Sequence, residues 1–167
     1  RLHLRIRDIF VRQLIEGDLV LLNDEKRLGC MLVDFGAETT TVSVYKDGTM
    51  AFLCSIPMGS RLITLDLMTG LGITEDSAET YKLTLGTLAD STDQNTNPNA
   101  EEVNGYVRAR AGEIAANILN QIERSGIPAA ALSKIVLTGG GSKLPEFAAE
   151  LGQQCKQPVR IADMPAG

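Results

Sequence analysis

The stretch Lys134-Ile135-Val136-Leu137-Thr138-Gly139-Gly140-Gly141-Ser142-Lys143-Leu144-Pro145 sets an apolar, strand-forming run directly against three consecutive glycines. A plain turn has no need of three. Each glycine costs roughly 0.5–1 kcal/mol of conformational entropy, and in exchange the backbone can approach a ligand more closely than any Cβ allows. Such a loop suits a planar or phosphate-bearing ligand, with a structural tight turn as the alternative. A helix is predicted from about Leu144 to Cys155, and Pro145 near its first position would aim unpaired N–H groups back at the loop, an arrangement that favours anions.

Upstream, Gly29–Val33 is a short apolar run, Thr40–Tyr45 puts Val42 and Val44 on one face, and Met50–Ile56 is apolar and β-capable. Between the second and third runs, Lys46-Asp47-Gly48 has the composition of a two-residue hairpin turn, whose central positions need positive φ. The three runs predict an antiparallel meander. Ser60 is expected to cap a helix carrying Leu62, Ile63, Leu65 and Leu67 and ending around Gly70 and Gly72. Thr74 is expected to cap a second, with Glu75 and Asp76 in its first turn and Gly86 just past its end.

Residues 87–105 are rich in Asp, Ser, Thr, Asn, Gln and Pro and read as a surface loop. Val107, Ala111, Ala115 and Leu119, beside Ile114, Ile118 and Ile122, then have the spacing of a helix with a broad apolar face, which stops at Ser125-Gly126. A buried strand at Ile135–Leu137, the glycine loop, its helix and a last strand at Val159–Ile161 complete the order. This succession predicts an α/β, ribonuclease-H-like fold: a mixed sheet with an antiparallel three-strand meander and flanking helices. Residues 28–59 and 106–167 form its core. Residues 60–105 are a small inserted side subdomain with the polar loop 87–105.

The chain of 167 residues is long enough for one domain that buries roughly 70% of its unfolded surface. A net charge of −5 and the absence of Trp oppose a nucleic-acid surface, which needs a basic footprint and stacking aromatics. Cys30, Cys54 and Cys155 are odd in number and lack CxxC spacing, so they read as buried thiols of a reducing compartment. His3 is the single histidine, and no Ser-His-Asp triad or histidine-ligated metal centre is expected. No apolar run reaches the roughly 18 residues of a membrane span and no signal peptide opens the chain, so a cytoplasmic protein is expected. Arg1, Arg5, Arg7 and Arg12 among the leucines and isoleucines of residues 1–27 fit a basic amphipathic helix, or a strand or helix of a neighbouring subdomain.

Chemistry is most plausible at Asp34-Phe35-Gly36-Ala37-Glu38-Thr39-Thr40-Thr41. An acid at a strand end beside a glycine turn can hold a hydrated magnesium ion, while threonine hydroxyls and backbone N–H groups can face phosphate oxygens. The alternative is a polar hairpin capped by Asp34. Glu79 and Lys82, three residues apart, share a helix face, either toward a ligand or as a solvated surface pair.

Asp34-Phe35-Gly36 with Thr40-Thr41-Val42-Ser43-Val44, then Ser55-Ile56-Pro57-Met58-Gly59, then Ala78-Glu79-Thr80-Tyr81-Lys82 with Gly86, then Leu137-Thr138-Gly139-Gly140-Gly141-Ser142, resemble the actin-like ATPases, and among them the bacterial cell-division family FtsA. The resemblance covers about residues 25–167 and implies the second lobe of a two-lobed protein that binds ATP with Mg in the cleft, with residues 1–27 a remnant of, or linker from, the preceding lobe. It makes the Asp34 turn the second phosphate loop, with Gly36, Thr39 and Thr40 toward the nucleotide and Asp34 holding Mg through water. It takes Glu79 and Lys82 to ribose and base, and Gly139, Gly140 and Gly141 to adenosine. Lys143 either packs on the adenine or is a surface lysine at a helix end.

It further implies self-association into filaments and binding of the C-terminal peptide of FtsZ at the side subdomain. The membrane tie would be a C-terminal amphipathic helix beyond Gly167, and the location the inner face of the cell membrane at the division site. ATP would tune assembly, with weak turnover at most. The sequence departs from the family at Ala37 and Glu38, where small residues are usual; a carboxylate beside phosphates repels them by a few kcal/mol at an effective dielectric near 20.

That departure leaves a nucleotide-free scaffold as one alternative; independently of it, a sugar or acid kinase of the same superfamily is another, disfavoured by the closer resemblance of Thr40–Tyr45 and Ser55–Gly59 to the division family. A two-metal nuclease of this strand order needs an acid at the end of the fourth strand, where Thr138-Gly139 stands.

Overall fold

A computed structural model describes residue 5, residues 7–88 and residues 98–162. The hairpin composition is matched by its geometry: Asp47 and Gly48 have φ of 53° and 83°, and Lys46 pairs with Thr49. β1 (Cys30–Phe35), β2 (Thr40–Lys46) and β3 (Thr49–Ile56) are antiparallel neighbours, as the meander requires. β4 (Lys134–Thr138) runs parallel beside β1, and β5 (Val159–Ile161) parallel beside β4, giving the order β3-β2-β1-β4-β5. Antiparallel strands need only short turns, whereas the parallel pairs require long crossovers, which is where the helices enter.

Alternation along β1 separates two cores. Met31, Val33 and Phe35 join Ile114, Ile118, Phe147 and Leu151 on one face, while Cys30 and Leu32 meet Val20, Leu21, Tyr45 and Val136 on the other. The second face is covered by α1 (Arg12–Val20) and α2 (Asn23–Leu28), so part of the stretch read as a remnant or linker is folded onto the sheet. Close approach explains Gly17: a Cβ there would overlap the Tyr45 hydroxyl. Arg1 and His3, singled out above, lie outside the described residues.

α3 (Arg61–Leu71), α4 (Glu75–Thr84) and the start of α5 (Pro98–Arg124) share their own apolar cluster of Ile63, Leu67, Ala78, Val103 and Val107. Arg110 of α5 grips Asp66 of α3 through two hydrogen bonds of 2.6 and 2.8 Å. Thr74 caps α4 by accepting from the Ser77 N–H at 3.3 Å. Ser60 stands at the start of α3 but makes no side-chain cap.

Two boundaries differ from expectation. α5 begins at Pro98, so residues 98–105 of the expected polar loop are helical; 89–97 lie outside the described residues. Proline is pre-set for a first helical turn, and Ala100 and Val103 continue backwards the apolar stripe of Val107 and Ala111, buried as they are. The other is α6 (Phe147–Cys155), which starts three residues after Leu144. Glu146 takes a left-handed φ of 60° and breaks the helical path there, and Phe147 packs on Phe35 with ring centroids 4.7 Å apart.

At the other end of α6, Lys156 is also left-handed, at φ 53°. The residue is exposed, so Lys156→Gly is expected to stabilise the fold by roughly 0.5–1 kcal/mol, read as a rise of about 2 °C in the thermal midpoint.

Cys30 and Cys155 are buried, and burial pushes both thiols up to about 11; Cys54 is only half-buried, on β3. Among the described residues no helix is long and apolar enough to cross a membrane.

Candidate functional site

The two turns meet at one end of the sheet. Asp34 pairs directly with Thr138 in the parallel β1–β4 ladder, so the chain leaves both strands side by side. Gly139, at φ 86°, sits so close to β1 that a Cβ would come within 2.6 Å of Asp34 Oδ1, and a Cβ on Gly141 would overlap the Phe35 ring. These two glycines are therefore required by packing. Around Gly140 there is open space.

α3 is docked on the first turn by its own backbone. The Ser60 and Arg61 N–H groups donate to the Gly36 and Ala37 carbonyls, each at 2.9 Å. Gly59 permits this, since a Cβ there would strike the Ala37 backbone. Thr40, expected to face phosphate, is instead fully buried, and its hydroxyl donates to the Met58 carbonyl at 2.7 Å; it braces the turn rather than lining the cleft. Thr39 is exposed beside it, and Gly36 closes the turn with its N–H on the Thr39 carbonyl at 3.0 Å.

Between the turns and α4 lies a cleft of about 310 Å³. Gly140, Gly141 and Lys143 form one wall, Glu79 and Lys82 the opposite one, with Ile63, Leu83, Leu144 and Pro145 supplying apolar surface. Of the residues selected from sequence, these five converge on one space. Their charge is already organised: Lys82 Nζ lies 2.7 Å from Glu79 Oε2, 3.0 Å from Thr64 Oγ1 and 3.4 Å from the Ser60 carbonyl. Thr64 donates to the same Glu79 oxygen at 2.6 Å. Burial opposes ionisation of Glu79, but the hydrogen bonds from Lys82 and Thr64 outweigh it and hold the carboxyl below its ordinary value.

The glycine turn has a second side. A hollow of about 520 Å³ is lined by Asp34, Thr138, Gly139, Gly140, Ser142 and Lys143 together with Arg12 and Glu16 of α1. Asp34 faces this side, and its Oδ2 accepts from the Arg12 guanidinium. The carboxylate expected to hold hydrated Mg is thus occupied by an arginine 22 residues upstream, and the pair was invisible in sequence because nothing local marks α1 as crossing the strand end.

Glu38 also stands differently from expectation. Its carboxylate accepts from Arg61 at 3.1 Å, and Arg61 in turn donates to Glu75 at 2.9 Å. The charge thought to repel phosphate is paired with a cation on α3, which it shares with Glu75. Thr64, Leu83 and Arg61 were missed as site residues. Their only signal was helical spacing, since Thr64 lies one turn after Ser60 and Leu83 directly follows Lys82.

The family model described as cell division protein FtsA matches residues 31–165. Cell division protein FtsA of Porphyromonas gingivalis is 36% identical over 164 residues, covering 90% of this chain and 34% of the relative. FtsA of Rhizobium meliloti is 30% identical over 189 residues, covering 99% and 43%. The chain thus spans less than half the length of these curated relatives. Among solved structures, MreB5 of Spiroplasma citri bound to ADP superposes with a TM-score of 0.74 at 17% identity, covering 88% of this chain and 52% of that one. A non-polymerising mutant of MamK bound to AMPPNP gives 0.68 at 16%, covering 85% and 51%. At such identities the structural likeness establishes the actin-like ATPase fold alone. The family match runs through both strand-end turns and the helices between them, and on it the chain belongs to the FtsA family of cell-division proteins.

Proposed function

We propose that this chain is the nucleotide-binding second lobe of an FtsA-type protein that holds ATP between two lobes. On this reading it assembles into filaments and couples the FtsZ ring to the inner face of the membrane at the division site. The observation that carries the nucleotide reading is the convergence of Gly140, Gly141 and Lys143 with Glu79 and Lys82 around one cleft with apolar walls. A planar base suits the apolar surface, and a small number of placed polar groups gives orientation. The reading gains support from neighbours of this fold solved with ADP and AMPPNP. The pairing of Glu38 with Arg61, a guanidinium it shares with Glu75, weakens the electrostatic objection to bound phosphate.

In this proposal α3, α4 and the start of α5 are the side subdomain that receives the C-terminal peptide of FtsZ. ATP acts by closing the cleft and tuning assembly, with slow turnover.

Calorimetric titration of the full-length protein with ATP tests the site. Glu79→Gln keeps the size of the side chain but removes the charge that orders Lys82, and is expected to weaken ATP by about tenfold, the worth of one charge-assisted hydrogen bond. Equal affinity in Glu79→Gln and Lys82→Met would refute the assignment of the cleft.

A further inference from the structure

The Asp34 carboxylate is already engaged through Oδ2, which accepts from Arg12, while a Cβ on Gly139 would come within 2.6 Å of Oδ1. The side chain is 11% exposed. Glu16, one turn along α1, lies 4.0 Å from the same Arg12 nitrogen and is 13% exposed. Burial and the neighbouring Asp34 charge raise the Glu16 pKa, with Arg12 opposing them. Two carboxylates therefore share one guanidinium at the floor of the 520 Å³ hollow.

This arrangement does not suit magnesium. The ion demands near-octahedral oxygen coordination and keeps several waters, and the Asp34 oxygen that faces the hollow's guanidinium is already taken by a cation. Ser142, the nearest hydroxyl on the glycine turn, donates to the Gly139 carbonyl at 2.7 Å. Arg12, by contrast, is 69% exposed, and only its Nη2 is engaged. Its remaining N–H donors have the fork geometry that matches phosphate oxygens, and Lys143 lines the same hollow.

We infer that Arg12 stands where the divalent cation would, so that this protein binds a nucleoside di- or triphosphate without Mg, the phosphate charge being met by Arg12 and Lys143. The inference rests on the nucleotide reading above and concerns which cation completes the site. Asp34 and Glu16 then serve as positioning residues that hold the guanidinium against the strand end.

The test is titration of the full-length protein with ATP in millimolar Mg and again with EDTA. Affinities within about twofold of each other are expected. A loss of about tenfold or more in EDTA, about 1.4 kcal/mol, would overturn the inference and leave nucleotide binding intact; no binding in either condition would overturn both. Arg12→Gln should create a metal requirement, with ATP affinity in EDTA at least about tenfold below that in Mg, and equal affinities in that variant would refute the role given to Arg12. Paramagnetic resonance of Mn added without nucleotide gives an independent readout. The parent protein is expected to leave the spectrum of free Mn unchanged, whereas Arg12→Gln, with both carboxylates released, is expected to bind it. Mn binding by the parent would count against the inference.

Discussion

Gly140→Val is expected to lower ATP affinity by at least about a hundredfold while moving the thermal midpoint by no more than about 2 °C. Gly140 lines both the 310 Å³ cleft and the 520 Å³ hollow, and a Cβ placed on it meets nothing within 4 Å. A valine there enters ligand space, not protein space. Its neighbours provide the control. Gly141→Val would drive a side chain into the Phe35 ring, and Gly139→Ala would combine a left-handed φ of 86° with contact against the Phe35 carbonyl. Each is expected to cost about 2–3 kcal/mol of stability, roughly 4–10 °C, as overpacking and backbone strain do elsewhere. Titration calorimetry and thermal unfolding of the three variants separate a glycine kept for the ligand from two kept for the fold. If Gly140→Val binds ATP like the parent, the cleft is not the nucleotide site.

Acid is expected to cost stability at Glu25. This carboxylate is only 4% exposed beneath the sheet, where Arg160 donates to it through Nε at 2.8 Å and Nη2 at 2.6 Å, the Leu22 N–H donates at 2.9 Å, and Lys134 lies 3.4 Å away. The Arg160 hydrogen bonds outweigh burial and lower the Glu25 pKa from 4.5 to about 2. Because the folded value is depressed, the stabilisation is fully present above pH 4.5 and is lost as pH falls toward 2. Its size follows from the shift, about 3 kcal/mol. Glu25→Gln is therefore expected to lower the midpoint by roughly 5–10 °C at neutral pH and to flatten its fall between pH 4.5 and 2. Scanning calorimetry across that range checks both. An unchanged slope would show that the acid sensitivity arises elsewhere.

This network joins α2 to β5 over 135 residues, and such distance marks the limit of what could be read from the chain. The meander was legible because Lys46-Asp47-Gly48 carries its turn preference in adjacent residues and because the alternation of Val42 and Val44 is local. The convergence of Asp34 with the glycine loop was legible too, once both were placed at the ends of adjacent parallel strands. The start of α5 was not: between Pro98 and Gly105 polar residues dominate, and the burial of Val103 comes from α3 and α4, not from its own neighbours in sequence. Thr40 failed for a related reason, since a hydroxyl beside a phosphate-type turn finds a carbonyl, Met58, that only the folded hairpin brings near.

What the sequence determined by itself is the set of short-range instructions: strand runs, turn residues, caps, three glycines in a row and a helix face holding Glu79 with Lys82. Tertiary structure alone decided which charges meet. It paired Arg12 with Asp34 across 22 residues and Arg61 with Glu38 across 23, and so turned an acid read as a metal ligand into an arginine's partner and a carboxylate read as a repellent into one of two that share an arginine. Periodicity and turn preference act between neighbours along the chain. Side-chain charge acts through space, and its partner is unknown until the packing of α1 and α3 against the sheet has set the distances.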